Sequence, residues 1–275
     1  MQKILWVIGV SAVLTACGSG GSSSHSNINS SSNSSPINTT KIAGVLVAKD
    51  DTNPIPKKDP DTGREYNDYE FKMKRITNDQ DINTIQINTV NVKLLPDGYN
   101  KQENYETKRR FLNEKAPGRP EVGKVLQKVV SGLAYKYVRF GINDDYDPYL
   151  GKPQKIPHTF GIFVQGYVTN NMPKTGTVTY IGDAYGASRE FARGKSNIEV
   201  NFGNKTLKGT LSEWQDYDFI AEKTPVMIFN AKITGNQFEG KNVKGNFFGN
   251  KAAEIGGVYY DPTRMEGAVF GAKKQ

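Results

Sequence analysis

The most reactive side chains in this 275-residue sequence are one cysteine and two histidines. One cysteine excludes a disulfide within the chain, and two histidines exclude a multi-histidine metal site. His158 lies in a loop predicted between two strands, where a neutral imidazole could ligate a haem iron, with Tyr146 or Tyr149 near it in sequence. The alternative is a loop histidine that is solvated or packed in a turn. Acidic segments at 59–63 and 143–147 lack the spacing of a calcium loop, so no metal site is predicted.

The cysteine, Cys17, follows an apolar stretch at 4–13 that is too short to span a bilayer core of about 30 Å. That pattern is typical of a secretory signal peptide. The residues 14–17, Leu-Thr-Ala-Cys, resemble a bacterial lipobox. The resemblance implies that residues 1–16 are removed, that a diacylglycerol is attached to the Cys17 thiol, and that a palmitate-like acyl group is added to its amine. The alternative is an ordinary secretory signal with a leftover cysteine. Gly18 after the cysteine favours the outer membrane.

Residues 17–40 form the predicted acylated cysteine and a tether rich in Ser and Gly. Gly/Ser chains behave as flexible coils, so about 23 residues span roughly 25–29 Å on average. Fully extended, they reach about 75–80 Å. The folded part is therefore expected to stand off the membrane surface.

Residues 132–275 alternate apolar and polar side chains between glycine-rich turns, which predicts eight or nine antiparallel strands. Two-residue links at 203–204 and 235–236, both Gly-Asn, predict β-hairpins. Short strands with such turns favour a sandwich or a closed barrel. The predicted strands are 135–141, 160–168, 175–183, 198–202, 205–211, 227–233, 244–249, 255–260 and 267–273.

Residues 41–131 predict a smaller, loop-rich β or α+β domain. The apolar pattern indicates a strand at 41–49, a weaker one at 69–76, and two strands within 82–95. The segment 50–65 contains three prolines and predicts a loop. Charged residues at helix-like spacing predict a short helix within 100–116, and 122–130 would join it to the next domain.

A basic cluster lies within residues 101–124 and gives this segment a net charge of +3; its core is Lys108, Arg109 and Arg110. Such a cluster could contact an acidic patch on a partner protein, or it could be a solvated helix face. Of the net charge of +8, +3 lies in residues 41–131 and +4 in residues 132–275. No stripe of basic residues therefore indicates nucleic-acid binding.

Motifs for catalysis are missing from the sequence: there is no Gly-x-Ser-x-Gly elbow, zinc-binding helix, phosphate loop or dinucleotide fingerprint. The sequence therefore predicts a binding protein rather than an enzyme, with no intrinsic cofactor and with haem as a possible ligand.

The C-terminal segments resemble a known family. Residues 244–249 (Lys-Gly-Asn-Phe-Phe-Gly), the pair 256–257 (Gly-Gly) and the segment 267–275 resemble the closing part of the barrel in transferrin-binding protein B and its relatives. Residues 172–177 and 180–182 resemble the early hairpin of the same barrel. The resemblance covers roughly residues 132–275. It implies a mainly β fold with an N-terminal β-rich handle domain at 41–131 and an antiparallel eight-stranded β-barrel domain at 132–275.

The resemblance also implies a function. Members are surface lipoproteins of Gram-negative bacteria, exported by an outer-membrane translocator, that bind host proteins. With room for one handle–barrel lobe, the chain looks most similar to the branch of the haemoglobin–haptoglobin utilisation lipoprotein and hemophilin. That branch implies binding of haemoglobin or haem and delivery to a TonB-dependent transporter. A transferrin binder and an immune-evasion lipoprotein of the complement factor H-binding type remain alternatives.

Overall fold

The computed structural model describes residues 41–275 apart from 51, 59, 61–62, 64, 79–80, 112–122, 145–158, 188–190 and 217–225. Every helix or strand in the described residues is a β-strand. The first ten strands are β1 (Ile42–Lys49), β2 (Ile55–Lys58), β3 (Glu65–Asp68), β4 (Phe71–Asn78), β5 (Thr84–Ile87), β6 (Val90–Lys93), β7 (Tyr105–Phe111), β8 (Gly123–Val130), β9 (Val138–Asp144) and β10 (Phe160–Tyr167). The other eight are β11 (Thr177–Ala187), β12 (Phe191–Asn201), β13 (Thr206–Asp216), β14 (Met227–Thr234), β15 (Gln237–Glu239), β16 (Val243–Phe248), β17 (Glu254–Asp261) and β18 (Glu266–Lys274).

Strands β11 to β18 form a closed antiparallel barrel in which each strand pairs with the next in sequence. The barrel closes where β18 pairs with β11, from Tyr180 opposite Lys274 to Ala187 opposite Gly267. This confirms the predicted mainly β fold with an eight-stranded barrel. No helix in the described ranges has the length and apolar character needed to cross a membrane.

The barrel interior is filled by large side chains that point inward from alternate positions. Tyr180, Phe238, Phe247 and Phe270 are fully buried. Inward-facing glycines make room for these rings: a Cβ at Gly245 would lie 2.1 Å from the Phe238 ring. Because ring and glycine share one layer of the wall, the interior is packed rather than hollow.

A second sheet, which we call the handle sheet, has the strand order β4-β1-β10-β9-β8-β7. One face packs on the outer wall of the barrel, with Phe140 of the sheet and Val269 of the barrel in a single buried cluster. The opposite face packs against the β5–β6 hairpin through residues such as Leu46 and Ile85. Both faces are therefore buried, which explains why seven consecutive residues of β1 are inaccessible.

Two sequence predictions for this sheet are wrong. The strands predicted at 135–141 and 160–168 were assigned to the barrel, but the corresponding β9 and β10 lie in the handle sheet. Both are short strands between turn segments, as the barrel strands are, and only distant pairing separates the two groups: β10 pairs with β1, far back in the sequence. The division into domains at residue 131 stays a prediction, whereas the change from one sheet to the other falls between β10 and β11.

The helix predicted within 100–116 is also wrong where the structure describes it, because β7 is an edge strand paired with β8. Its Glu/Lys spacing fits an exposed edge as well as a helix, and Tyr105 packs edge-on against Tyr99 with the ring centroids 5.5 Å apart. The predicted joining segment at 122–130 is likewise strand β8. The predicted loop at 50–65 contains strand β2, which pairs with β3 in a small hairpin.

Candidate protein-binding surface

The two ends of the barrel differ in character. At one end, β12–β13, β14–β15 and β16–β17 are connected, and the interior there is closed by the buried residues Phe202 and Ala252. The Tyr180 hydroxyl donates a hydrogen bond of 2.7 Å to the Ala252 carbonyl and fixes this plug. We call the other end, where β11–β12, β13–β14, β15–β16 and β17–β18 are connected, the distal end.

The distal end carries exposed apolar side chains. Val226 and Ile228 at the start of β14 are 58% and 60% exposed, and Met265 in the β17–β18 turn is 66% exposed. Met265 also has a φ of 53°, a left-handed conformation that favours glycine. The neighbouring Arg264 side chain is 65% exposed. Exposed apolar groups beside an arginine are the residue types that protein interfaces favour.

Trp214 lies near the distal end and packs against the barrel core. Its ring lies over two glycines of the wall, since a Cβ on Gly194 would come within 2.5 Å of it. A β-bulge between Arg193 and Lys195 and the left-handed Glu213, with a φ of 56°, shift the strand just before this residue. Trp214 is therefore half-buried against the barrel interior.

The handle sheet reaches the same end of the lobe. Phe160, the first residue of β10, packs against Phe71 of β4 with ring centroids 5.1 Å apart. Burial raises the pKa of Tyr260 at the end of β17, and the carboxylate of Glu70, next to Phe71, raises it further. The first residues of β10 and β4 therefore lie beside the distal end of the barrel.

The residues predicted from sequence to form a site are only partly described. Cys17, His158, Tyr146 and Tyr149 lie outside the described residues, so the haem and lipid predictions stay untested. Lys108 is exposed on edge strand β7. Arg109 and Arg110 follow it in that strand, and their side chains are outside the described part. Val226, Ile228 and Met265 were not predicted as site residues, because the sequence around an apolar residue does not show whether its side chain is buried or exposed.

Polar contacts join the handle sheet to the barrel. The Glu254 carboxylate of β17 accepts hydrogen bonds of 2.8 Å from the backbone N–H groups of both Lys136 and Tyr137. At the two edges of the sheet, Arg75 of β4 pairs with Glu239 at 3.4 Å, and Arg193 of β12 pairs with Glu106 of β7. These contacts fix the position of the handle sheet relative to the barrel, and so the position of the first residues of β4 and β10 relative to the distal end.

Glu254 predicts a dependence of stability on pH. Burial raises the pKa of its carboxyl despite the two backbone hydrogen bonds, so the folded chain holds a proton there more tightly than the unfolded chain does. Its contribution to the free energy of unfolding should be fully present below about pH 4.5, the ordinary pKa of glutamate, and should be lost as the pH rises. Urea unfolding of the wild type and Glu254→Gln at several pH values between 4 and 8 measures this. The free energy of unfolding of the wild type minus that of Glu254→Gln should fall with rising pH. A difference that is independent of pH would contradict the prediction.

Comparisons with known proteins agree with the barrel. A family model described as the C-lobe and N-lobe β-barrels of Tf-binding protein B matches residues 172–274. An uncharacterised protein of Haemophilus influenzae is 33% identical over 130 residues, which covers 41% of this chain and 42% of that relative.

A solved structure shares the fold. The transferrin-binding protein B double mutant of Haemophilus parasuis Hp5 superposes with a TM-score of 0.50 at 23% identity, covering 85% of this chain and 45% of that one. Isotype 1 transferrin-binding protein B of Neisseria meningitidis has a TM-score of 0.48 at 19% identity, with 85% and 43% covered. The chain thus spans less than half the length of these proteins. The resemblance inferred from the barrel sequence is confirmed, whereas the branch within the superfamily stays a prediction. Residues 172–274 form a β-barrel of the transferrin-binding protein B type, carried in a lobe of the same fold.

Proposed function

We propose that this chain is a surface lipoprotein of a Gram-negative outer membrane that binds a host iron-carrier protein and delivers its iron or haem to a TonB-dependent transporter. The match of residues 172–274 to the transferrin-binding protein B barrels carries the proposal. The Ser/Gly-rich segment and the lipobox-like sequence ending at Cys17 support anchoring at the membrane and export by an outer-membrane translocator. Binding rather than catalysis remains part of this proposal.

The carrier protein is transferrin or haemoglobin. The matched family model is named for transferrin binding. The sequence resemblance to the haemoglobin–haptoglobin utilisation and hemophilin branch favours haemoglobin or free haem instead. His158, Tyr146 and Tyr149 are the candidate haem ligands, and Lys108, Arg109 and Arg110 are the candidate contacts for an acidic carrier surface.

A capture experiment distinguishes these ligands. The purified full chain is immobilised and exposed separately to transferrin, to haemoglobin and to complement factor H, and its absorbance is recorded with haem. Capture of transferrin or haemoglobin supports the proposal and names the carrier, and a sharpened Soret band that is lost in His158→Ala supports direct haem binding. Capture of factor H alone, with no iron carrier and no haem, contradicts it.

We propose further that the distal end makes the contact, because its exposed apolar groups would lose water on binding. Replacing both Ile228 and Met265 by aspartate should weaken capture of the carrier by about 10- to 30-fold, or roughly 1.4–2 kcal/mol, since an interface residue that contributes to affinity costs more than about 1 kcal/mol when it is lost. The matched control is Ile181→Asp, because Ile181 is 49% exposed on the barrel wall away from the distal end. Equal loss in the control and the double variant would place the contact elsewhere.

A further inference from the structure

A crevice of about 180 Å³ lies between the handle sheet and the barrel wall. The start of β1 and the end of β4 form one side, and the β14–β15 turn, Gln237 of β15 and Asn246 of β16 form the other. The volume is about six times the roughly 30 Å³ that one water molecule occupies in the liquid. The crevice is therefore large enough for a small organic molecule.

Asn246 is the unusual residue of this crevice. It points outward from the barrel toward the handle sheet, because Phe247 beside it points into the interior. Only 1% of Asn246 is exposed, yet neither its Nδ2 nor its Oδ1 has a hydrogen-bond partner among the described residues. Buried side-chain amides are almost always hydrogen-bonded, and an unpaired one destabilises the fold. Phe248, two positions along on the same face, shows that an apolar side chain can be buried here.

A second amide lies next to the first. Gln237 of β15 is the direct cross-strand partner of Asn246, and such partners have Cβ atoms about 4.5–5.5 Å apart on the same face of a sheet. Gln237 is half-buried and lines the crevice as well. The barrel wall therefore presents two carboxamides side by side, each with one donor group and one acceptor oxygen.

The other side of the crevice is positively charged. Arg75 of β4 is held by hydrogen bonds from its guanidinium to the carbonyls of Gly245 and Phe238, at 3.3 and 3.1 Å. Its contact with Glu239 is longer, at 3.4 Å, and Glu239 also pairs with Lys244 at 3.0 Å. Lys41 supplies a second cation, and the described residues that line the crevice include no carboxylate.

We propose that this crevice binds a small hydroxycarboxylate. The carboxylate would lie at Arg75 and Lys41, where it meets two cations. A ligand hydroxyl would donate to Asn246 Oδ1 and accept from its Nδ2. A ligand with only carboxylate groups has no donor, so it would leave Asn246 Oδ1 unpaired. An amino acid fits less well, because its ammonium group would lie beside the same cations. This inference does not depend on the host protein that the distal end binds.

The test is calorimetric titration of the purified full chain with malate and with succinate, which differs from malate only in lacking the hydroxyl. Malate should bind at least tenfold more tightly than succinate, and Asn246→Leu should weaken malate at least tenfold. The matched control is Asn197→Leu, an exposed asparagine on β12, which should leave malate binding unchanged. If Asn246→Leu fails to fold, Gln237→Leu and Arg75→Gln replace it, since both residues are partly exposed.

Several results would overturn the inference. Equal affinity for malate and succinate would remove the role of the hydroxyl, and equal or tighter binding of inorganic phosphate would indicate a general oxyanion site. No heat with any of these probes, together with a crystal structure showing only ordered water at Asn246, would identify a solvent-filled crevice.

Discussion

Replacing Phe140 by alanine is expected to lower the free energy of unfolding by about 3–5 kcal/mol, the usual cost of removing a buried phenylalanine ring. Phe140 of β9 is fully buried between the handle sheet and the barrel. Its ring meets Tyr135 edge-on at 4.9 Å and stacks on Tyr185 at 5.4 Å. It also fills the space above Gly271 of β18, where a Cβ would come within 2.2 Å of the ring. The change therefore opens a cavity in the junction between the two sheets.

Urea unfolding of the full chain measures the loss, and Gly271 supplies a sharper control. Gly271→Val alone should destabilise the protein, because its side chain would collide with the Phe140 ring. In the Phe140→Ala background the same valine has room, so the double variant should be more stable than the sum of the two losses predicts, by roughly 0.5–3 kcal/mol. Additive losses would show that the Phe140 ring and a side chain at position 271 do not compete for the same space.

Replacing Cys17 by alanine is expected to release the chain from the outer membrane. The thiol is the proposed site of the diacylglycerol, and each CH₂ of a buried acyl chain contributes about 0.8 kcal/mol to membrane binding. Without the thiol no chain can be attached there, and the remaining tether is polar. Cell fractionation with metabolic labelling by radioactive palmitate measures the result.

Two findings should accompany that release: label present in the wild type and missing from Cys17→Ala, and a variant that is depleted from the outer-membrane fraction. Ser19→Ala, a change two residues away in the tether, should behave as the wild type. Full retention of Cys17→Ala in the outer membrane would contradict acylation as the anchor.

The barrel was predictable because most of its pairings are local. Gly235-Asn236 connects Thr234 directly to Gln237, and Gly235 adopts a φ of 60°, so the turn is determined by the residues that the sequence displays. Strand β15 was missed because it is only three residues long. Its one inward side chain, Phe238, cannot establish an alternating pattern by itself.

The handle sheet could not be assembled from the sequence for the opposite reason. Strand β1 pairs on one side with β10, through Ile42 opposite Tyr167, more than a hundred residues away. Such a strand is buried on both faces and gives no signal for which neighbour it takes. The crevice at Asn246 could not be predicted for the same reason. The sequence of its strand is that of an ordinary barrel strand, and the amide is buried only because the handle sheet packs over it.

The position of the closing strand has a consequence for biogenesis. β18 pairs with both β17 and β11, so the barrel remains an open sheet with two free edges until residues 266–274 are available. Likewise β1 has no partner in β10 until residue 167 has been synthesised. A chain of such non-local pairings folds slowly, on the millisecond-to-second scale. The strand edges that stay exposed in this interval are where another chain could pair, so completion of β18 is the step that protects the barrel from such pairing.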